Sequence, residues 1–272
     1  MIPRSEISKA AVEKGLRETQ LEKDYVIGWI LYGISGNQKL MDEIAFKGGT
    51  ALRKFYIKDY RLSEDLDFTY LKGKLDTLQI KTEFEKVIVW VHNQSRISLE
   101  IRDEKINTKG NFSFAIGYAG PLGGDNKNKS IKVDISDNEI ICDDITRPLS
   151  QNEYSDLTEV YSIGCYSIGE IIAEKLRSLM QRTVPRDLYD IWYLLEIEKN
   201  DIENSVFNFK EKAEFKELDP LNFLKTITEK EAAYKSLWEK NLTQQFNELP
   251  DFDTVWREII RHFKKLSVLL NS

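Results

Sequence analysis

Histidine is almost missing from this chain: its 272 residues hold two, His92 and His262. That scarcity argues against histidine-based catalytic triads and zinc clusters, which need imidazoles grouped at short spacing. Cysteine is equally sparse. Cys142 and Cys165 lack metal-type spacing and make no disulfide framework, as expected for a reducing cytosol. Long apolar runs are absent, the longest being the ten residues from Tyr25 to Ile34, too short to span a bilayer. The first residues, MIPRSEISKAAVEKG, lack the apolar stretch of a secretory signal, so the expectation is a cytoplasmic protein with no membrane association. Excess positive charge is missing too. The 39 Lys and Arg are outnumbered by 45 Asp and Glu, a net charge of −6, so bulk charge does not draw nucleic acid and any RNA partner must meet a local basic patch. No internal repeat or low-complexity tail is visible.

What is present is a globular composition, 41% hydrophobic and 31% charged, long enough to bury a sizeable core. Two helices are expected first, one capped by Ser5 and one with Leu21, Tyr25, Trp29 and Tyr32 on an apolar stripe. Ile44-Ala45-Phe46 reads as a short buried strand and residues 64–70 as another. A helix fits 74–93, with Leu75, Leu78, Phe84, Val87 and Val91 near one side. Strands fit 96–106, 111–119 and 129–136, joined by turn-rich pieces at 107–110 and 120–128. From about residue 166 the pattern is helical: Ile168, Ile171, Ile172, Leu176 and Leu179 form one face, and Pro185 restarts the chain for a helix with Leu188, Ile191, Trp192 and Leu195. Further helices are expected at 203–214, 220–240 and 252–270. The fold class is therefore α+β: a mixed sheet with helices over 1–165, then a helical lobe over 166–272.

The chemistry concentrates in residues 47–68, KGGTALRKFYIKDYRLSEDLDF. Gly48 and Gly49 permit a sharp turn and close approach to a ligand. Thr50 caps or opens a helix, whose free N–H groups favour phosphate. Asp65 and Asp67, spaced i, i+2, share one face of a strand while Leu66 and Phe68 point to the other. Adjacent carboxylates repel unless a cation joins them, and Mg²⁺ prefers oxygen ligands. The plainer alternative is a solvated strand face salt-bridged to Arg61. In Ile131 to Ser136, Lys132, Asp134 and Ser136 lie opposite the core-facing positions. Asp134 is then a third carboxylate or an ordinary outward acid.

In the helical half, Lys175 lies along an apolar stripe, three and four residues after Ile172 and Ile171, with Arg182 two turns on. Snorkelling explains both; so does a cationic rail against a triphosphate. Asp187 and Asp190 follow Pro185 in a helix's first turns, where the dipole favours acids. Asp24 reads as structural, tying the first helices to the core. The basic runs Arg257–Lys265 and Lys127–Lys132 are either RNA contacts or solvated faces.

Four segments in order, Gly48 to Leu52, Arg61 to Phe68, Glu174-Lys175-Leu176 with Arg182, and Arg186 to Asp190, with Glu22 to Tyr25 before them, resemble the AbiEii/AbiGii-type nucleotidyltransferase toxins, the family that includes the MenT toxins of toxin–antitoxin and phage-defence systems. The resemblance implies a nucleotidyltransferase fold with the helical lobe closing over the site. It implies that Gly48, Gly49 and Thr50, with Ser63 and Arg61, hold an NTP, that Asp65 and Asp67 bind Mg²⁺ (or Mn²⁺) with Asp134 as a possible third ligand, and that Lys175 with Arg182 or Arg186 neutralises the β- and γ-phosphates. Asp187 matches the family's acidic position in the active site. The MenT branch further implies a tRNA 3′ end as acceptor and a cognate antitoxin as partner. A protein-modifying nucleotidyltransferase, or a non-catalytic relative that binds nucleotide or antitoxin, fits the same motifs.

Overall fold

The computed structural model describes residues 1–106, 111–124, 128–246 and 248–272. The expected turn at 107–110, and 125–127 of the turn at 120–128, lie outside them, as does Lys127 of the basic run. The chain divides into two compact units, residues 1–139 with 145–165, and residues 140–144 with 166–272. A single boundary at 165/166 misses the short segment 140–144. It goes with the second unit because Glu170 accepts the Cys142 and Asp143 N–H groups (3.1 and 3.2 Å) and Lys212 Nζ donates to the Ile140 carbonyl (2.6 Å).

The first unit begins with helices α1 (Arg4–Lys14), α2 (Glu18–Ser35) and α3 (Gln38–Glu43). Ser5 lies inside α1 and does not cap it: Pro3 holds the cap position with extended backbone, pre-set for a helix start. Five strands follow, β1 (Ile44–Lys47), β2 (Leu66–Tyr70), β3 (Ser98–Ile106), β4 (Asn111–Ala119) and β5 (Ser130–Ser136), in the spatial order β1-β2-β5-β4-β3. Among the pairs formed by these described strands, β2–β5 is parallel and the rest are antiparallel. Between β1 and β2 a short helix, α4 (Gly48–Ala51), runs on into a π turn over Leu52–Tyr56.

Strand alternation sorts the sheet into two faces. Phe46, Phe68, Ile135 and Phe112 form one apolar row. Helix α5 (Thr77–Ser95) adds Phe84 to that side, 6.1 Å from Phe68 and 5.1 Å from Phe114 between ring centres. Full burial of each such ring contributes about 1.5–3 kcal/mol. Asp76 caps α5 by accepting the Gln79 N–H, and Leu78, expected inside, is exposed on its first turn.

Helix α2 is buried on nearly all sides, so three of its charged residues need partners. Asp24 accepts from Arg53 Nε (2.7 Å), Lys54 Nζ (2.7 Å) and Tyr154 Oη (2.9 Å). Arg53 also donates to the Tyr60 carbonyl and to Glu153. Glu22 accepts from the Leu122 N–H and from Lys129 Nζ, and Lys23 pairs with Glu64 at 3.0 Å. The structural role expected for Asp24 is what its contacts show.

The second unit is helical: α6 (Ile168–Gln181), α7 (Pro185–Trp192) with a π turn to Ile197, α8 (Val206–Phe215), α9 (Phe223–Thr228), α10 (Glu231–Leu242) and α11 (Phe252–Asn271). The single helix expected at 220–240 is interrupted at Glu229-Lys230. There Lys230 Nζ donates to the Leu179 and Met180 carbonyls (2.6 and 2.9 Å), satisfying the open end of α6. In α11, Arg261 and His262 contact Glu196 and Lys265 pairs with Asp201, so these members of the basic run are engaged with acids of their own unit.

Burial pushes the Asp24 pKa up, but the Arg53 and Lys54 charges and hydrogen bonds overturn this and hold it well below the ordinary value of 3.8. An unfolded chain therefore takes up a proton at Asp24 near pH ~3.9 while the folded chain does not, so this contribution is present above that pH and lost progressively below it. Asp24→Asn should cost about 3–5 kcal/mol, since it takes the buried anion from Lys54 and leaves Arg53 with Glu153 alone. Urea unfolding at pH 7 and pH 4 checks this, and the variant's deficit should shrink at still lower pH.

Candidate active site

The glycine turn and the acidic strand meet physically in the first unit. Gly48 has φ +80°, a left-handed conformation, and a Cβ there would stand 2.9 Å from Asp67 Oδ2. A Cβ on Gly49 would stand 2.8 Å from Arg61 Nη2 and 3.0 Å from Ser63 Oγ. Thr50, buried within the helical turn, does not cap it. Its hydroxyl sits 2.9 Å from Ser63 Oγ and donates to the Asp65 carbonyl at 2.6 Å. The loop carrying Arg61, Ser63 and Asp65 is thus laced to the turn carrying Gly48, Gly49 and Thr50. Arg61 is itself buried, donating to the Leu62 carbonyl (3.1 Å) and lying 5.7 Å from the Tyr60 ring centre.

Strand β2 starts at Leu66, so Asp65 stands just ahead of it and Asp67 within it. Asp67 is register partner to Lys47 on β1 and to Asp134 on β5, and Asp134 is partner to Ser113 on β4. These side chains form a polar row on the face opposite the aromatic one. Asp134 accepts from Ser113 Oγ and from Lys132 Nζ. That hydrogen bond, with the charges of Asp134, Asp65 and Asp67, raises the Lys132 pKa. The residues therefore fit a divalent cation in kind, with clustered carboxylates beside a turn that has no side chain to obstruct one. Among the described residues no three His, Cys, Asp or Glu are preassembled as a cage, and Asp134 is already engaged by Lys132.

The remaining expected residues gather in the second unit. Lys175 is buried, not snorkelling, and its Nζ lies 3.1 Å from Asp187 Oδ1 and 2.6 Å from Asp190 Oδ2. Arg182 is not on the α6 face: it follows the helix in extended backbone and binds Asp187 through Nε (2.9 Å) and Nη2 (2.8 Å). Asp187 is in the first turn of α7 as expected, and Asp190 is the partner that orients Lys175. Arg186 is exposed beside them. A second buried pair, Glu170–Lys212 at 2.7 Å, was not legible as such, since its partners lie on α6 and α8 with no sequence pattern linking them.

A family model described as "Nucleotidyl transferase AbiEii toxin, Type IV TA system" matches residues 29–258. Among curated proteins none matches the chain. Among solved structures, JHP933 of Helicobacter pylori is similar at a TM-score of 0.58 and 19% identity, covering 94% of this chain and 95% of that one. MenT4, the nucleotidyltransferase toxin Rv2826c of Mycobacterium tuberculosis H37Rv, is similar at a TM-score of 0.59 and 15% identity, covering 100% and 99%. At these identities the two show a shared fold. No described helix is long and apolar enough to cross a membrane.

Gly48→Ala should lose about 1–2 kcal/mol from backbone strain and, in addition, push the Asp67 carboxylate aside. Gly73 has the same handedness (φ +78°) but open space where a Cβ would go, so Gly73→Ala supplies the strain alone. Thermal midpoints should fall further for Gly48→Ala than for Gly73→Ala, and only the former should lose catalytic rate. Equal behaviour of the two would mean that the contact with Asp67 is immaterial.

Proposed function

The chain belongs to the nucleotidyl transferase AbiEii toxin family of type IV toxin–antitoxin systems, and from that premise we propose that it transfers a nucleoside monophosphate from an NTP to a tRNA 3′ end, blocking translation. The observation carrying this reading is the closeness of the Gly48 turn to Asp67, whose Oδ2 lies 2.9 Å from where a Cβ on Gly48 would stand: a turn able to admit phosphate lies beside an acidic strand. In the proposed reaction the acceptor hydroxyl oxygen bonds to the α-phosphorus, the bond from that phosphorus to the bridging oxygen breaks, and pyrophosphate leaves. Asp65 and Asp67 would hold Mg²⁺ or Mn²⁺, which when bound supplies charge neutralisation at the phosphates and lowers the pKa of the attacking hydroxyl. Its proton passes to a neighbouring carboxylate or to water. Gly48, Gly49 and Thr50 present backbone N–H groups to the triphosphate, and Arg61 and Ser63 brace that turn from behind. Asp134 would join as a ligand only by releasing Lys132, which then has its charge available for substrate.

The Lys175 cluster contributes to the same reaction in this proposal, with its labour divided differently from a plain cationic rail. Lys175 sits between two carboxylates, so it neutralises and orients Asp187. Arg182, whose side chain is 55% exposed, offers the accessible charge. A cognate antitoxin is the expected partner of a toxin of this family.

Purified protein incubated with tRNA, Mg²⁺ and each α-labelled NTP in turn should label the tRNA with at least one of them, and Asp65→Ala should lose the label while keeping its circular dichroism. Label on protein instead of RNA would move the acceptor to protein hydroxyls. Lys175→Met should lower stability by about 3–5 kcal/mol in urea titrations, because fully buried Asp190 loses its Lys175 counter-charge and Asp187 is left with Arg182 alone. An unchanged midpoint with a raised KM for NTP would return Lys175 to the rail.

A further inference from the structure

The polar face of the sheet continues beyond the carboxylates to an arginine with two donors that find no hydrogen-bond acceptor among the described residues. Gly117 on β4 is register partner to Ser130 on β5 and to Glu100 on β3, while Arg102 on β3 is partner to Ala115. Gly117, Ala115 and Ser113 alternate onto one face, and Ser113 binds Asp134, so all three share the face of Asp67 and Asp134. The Arg102 guanidinium lies flat in the space above Gly117: a Cβ there would stand 1.4 Å from Nη2 and 2.2 Å from Cζ. Glycine at 117 is what admits it.

An arginine placed this way should be hydrogen-bonded. Yet Arg102 Nε and Nη2 are inaccessible to solvent and find no hydrogen-bond partner among the described residues. The nearest acid, Glu100, is 3.7 Å from Nε, beyond hydrogen-bond distance. A buried donor left unpaired costs about 1–3 kcal/mol, more when charged. The side chain is 23% exposed overall, and a ligand on this face would supply the acceptor as the guanidinium turns toward it. Lys132, register partner of Ala115, adds a second cation on the same face.

We propose that Arg102, seated on Gly117, binds a backbone phosphate of the acceptor strand, set back from the reacting 3′ end. This rests on the reading that the acceptor is RNA. Two features favour the acceptor over the NTP. The glycine turn lies on the β1 side of the carboxylates, and Arg102 lies on the opposite side, past β5 and β4. With strands ~4.8 Å apart and rising ~3.3 Å per residue, Gly117 is roughly 12 Å from the level of Asp65, too far for the triphosphate of a nucleotide held at Gly48 and Gly49. A protein hydroxyl acceptor brings no phosphate, whereas an RNA strand leaving the site along this face does. Guanidinium suits that role through its fixed fork of donors.

The test measures tRNA affinity separately from chemistry. Arg102→Ala should weaken tRNA binding and raise the KM for tRNA about tenfold while the KM for NTP stays put, and the slope of log affinity against log salt should flatten by about 0.7, one phosphate contact on a single strand. Gly117→Ala keeps the charge but evicts the guanidinium, and should reproduce the weakening; both variants are compared with wild type by circular dichroism and thermal midpoint. Arg102→Lys should restore part of the salt dependence. A raised KM for NTP with unaltered tRNA affinity would overturn the proposal in favour of a triphosphate subsite. Wild-type values throughout, with tRNA still labelled by the parent enzyme, would overturn the Arg102 role alone. Failure of the parent enzyme to bind or label any RNA, with label on protein, would overturn the RNA acceptor and this subsite together.

Discussion

One buried carboxylate organises the surroundings of the candidate site. Asp24, fully enclosed on α2, takes hydrogen bonds from Arg53 and Lys54, consecutive residues of the helical segment that starts at Gly48. Arg53 passes the constraint on to the Tyr60 carbonyl, at the base of the loop that delivers Arg61, Ser63 and Asp65. A charge removed from water tolerates little displacement, because its desolvation is offset only while the partners stay in place. The glycine turn and the acidic loop are therefore tied to the same anchor and to each other through Thr50.

The residues around Asp24 extend the same logic. Glu22 holds the segment after β4 through Leu122 and Lys129, Lys23 holds Glu64 next to Asp65, and Tyr25 donates to Asp156. Four consecutive residues on one helix turn thus bind four different parts of the first unit. The second unit repeats the pattern with Glu170–Lys212 and with Lys175 between Asp187 and Asp190. Buried ion pairs of this kind contribute less to net stability than to geometry, since their formation and their desolvation nearly cancel. Where chemistry requires atoms held to within fractions of an ångström, geometry is what matters.

Much of this was legible in the chain, unevenly so. The strands at 44–47, 66–70, 111–119 and 130–136 follow from β-branched and aromatic alternation between turn residues, a signal carried locally. The juxtaposition of Gly48 with Asp67 was legible through the spacing of a motif. Ser5 as a cap was wrong because Pro3 opens the helix two residues earlier, and the break at Glu229-Lys230 was missed because Lys230 is drawn to the carbonyls ending α6, some 50 residues away. Lys175 illustrates the limit. Its place on an apolar stripe was correct, but its surroundings are two carboxylates contributed by α7, not solvent.

The α+β order of elements, the carboxylate spacing and the glycine turn were written in the sequence, since each depends on residues near one another in the chain, and the family was written there in short local motifs kept in order. Tertiary structure alone decided which charges are compensated. It placed Asp134 against Lys132, sank Lys175 between Asp187 and Asp190, and laid Arg102 over Gly117 with two donors lacking an acceptor among the described residues. Electrostatic energy depends on distance and on local dielectric, and both are set by strand order and helix packing, which no local run of residues encodes.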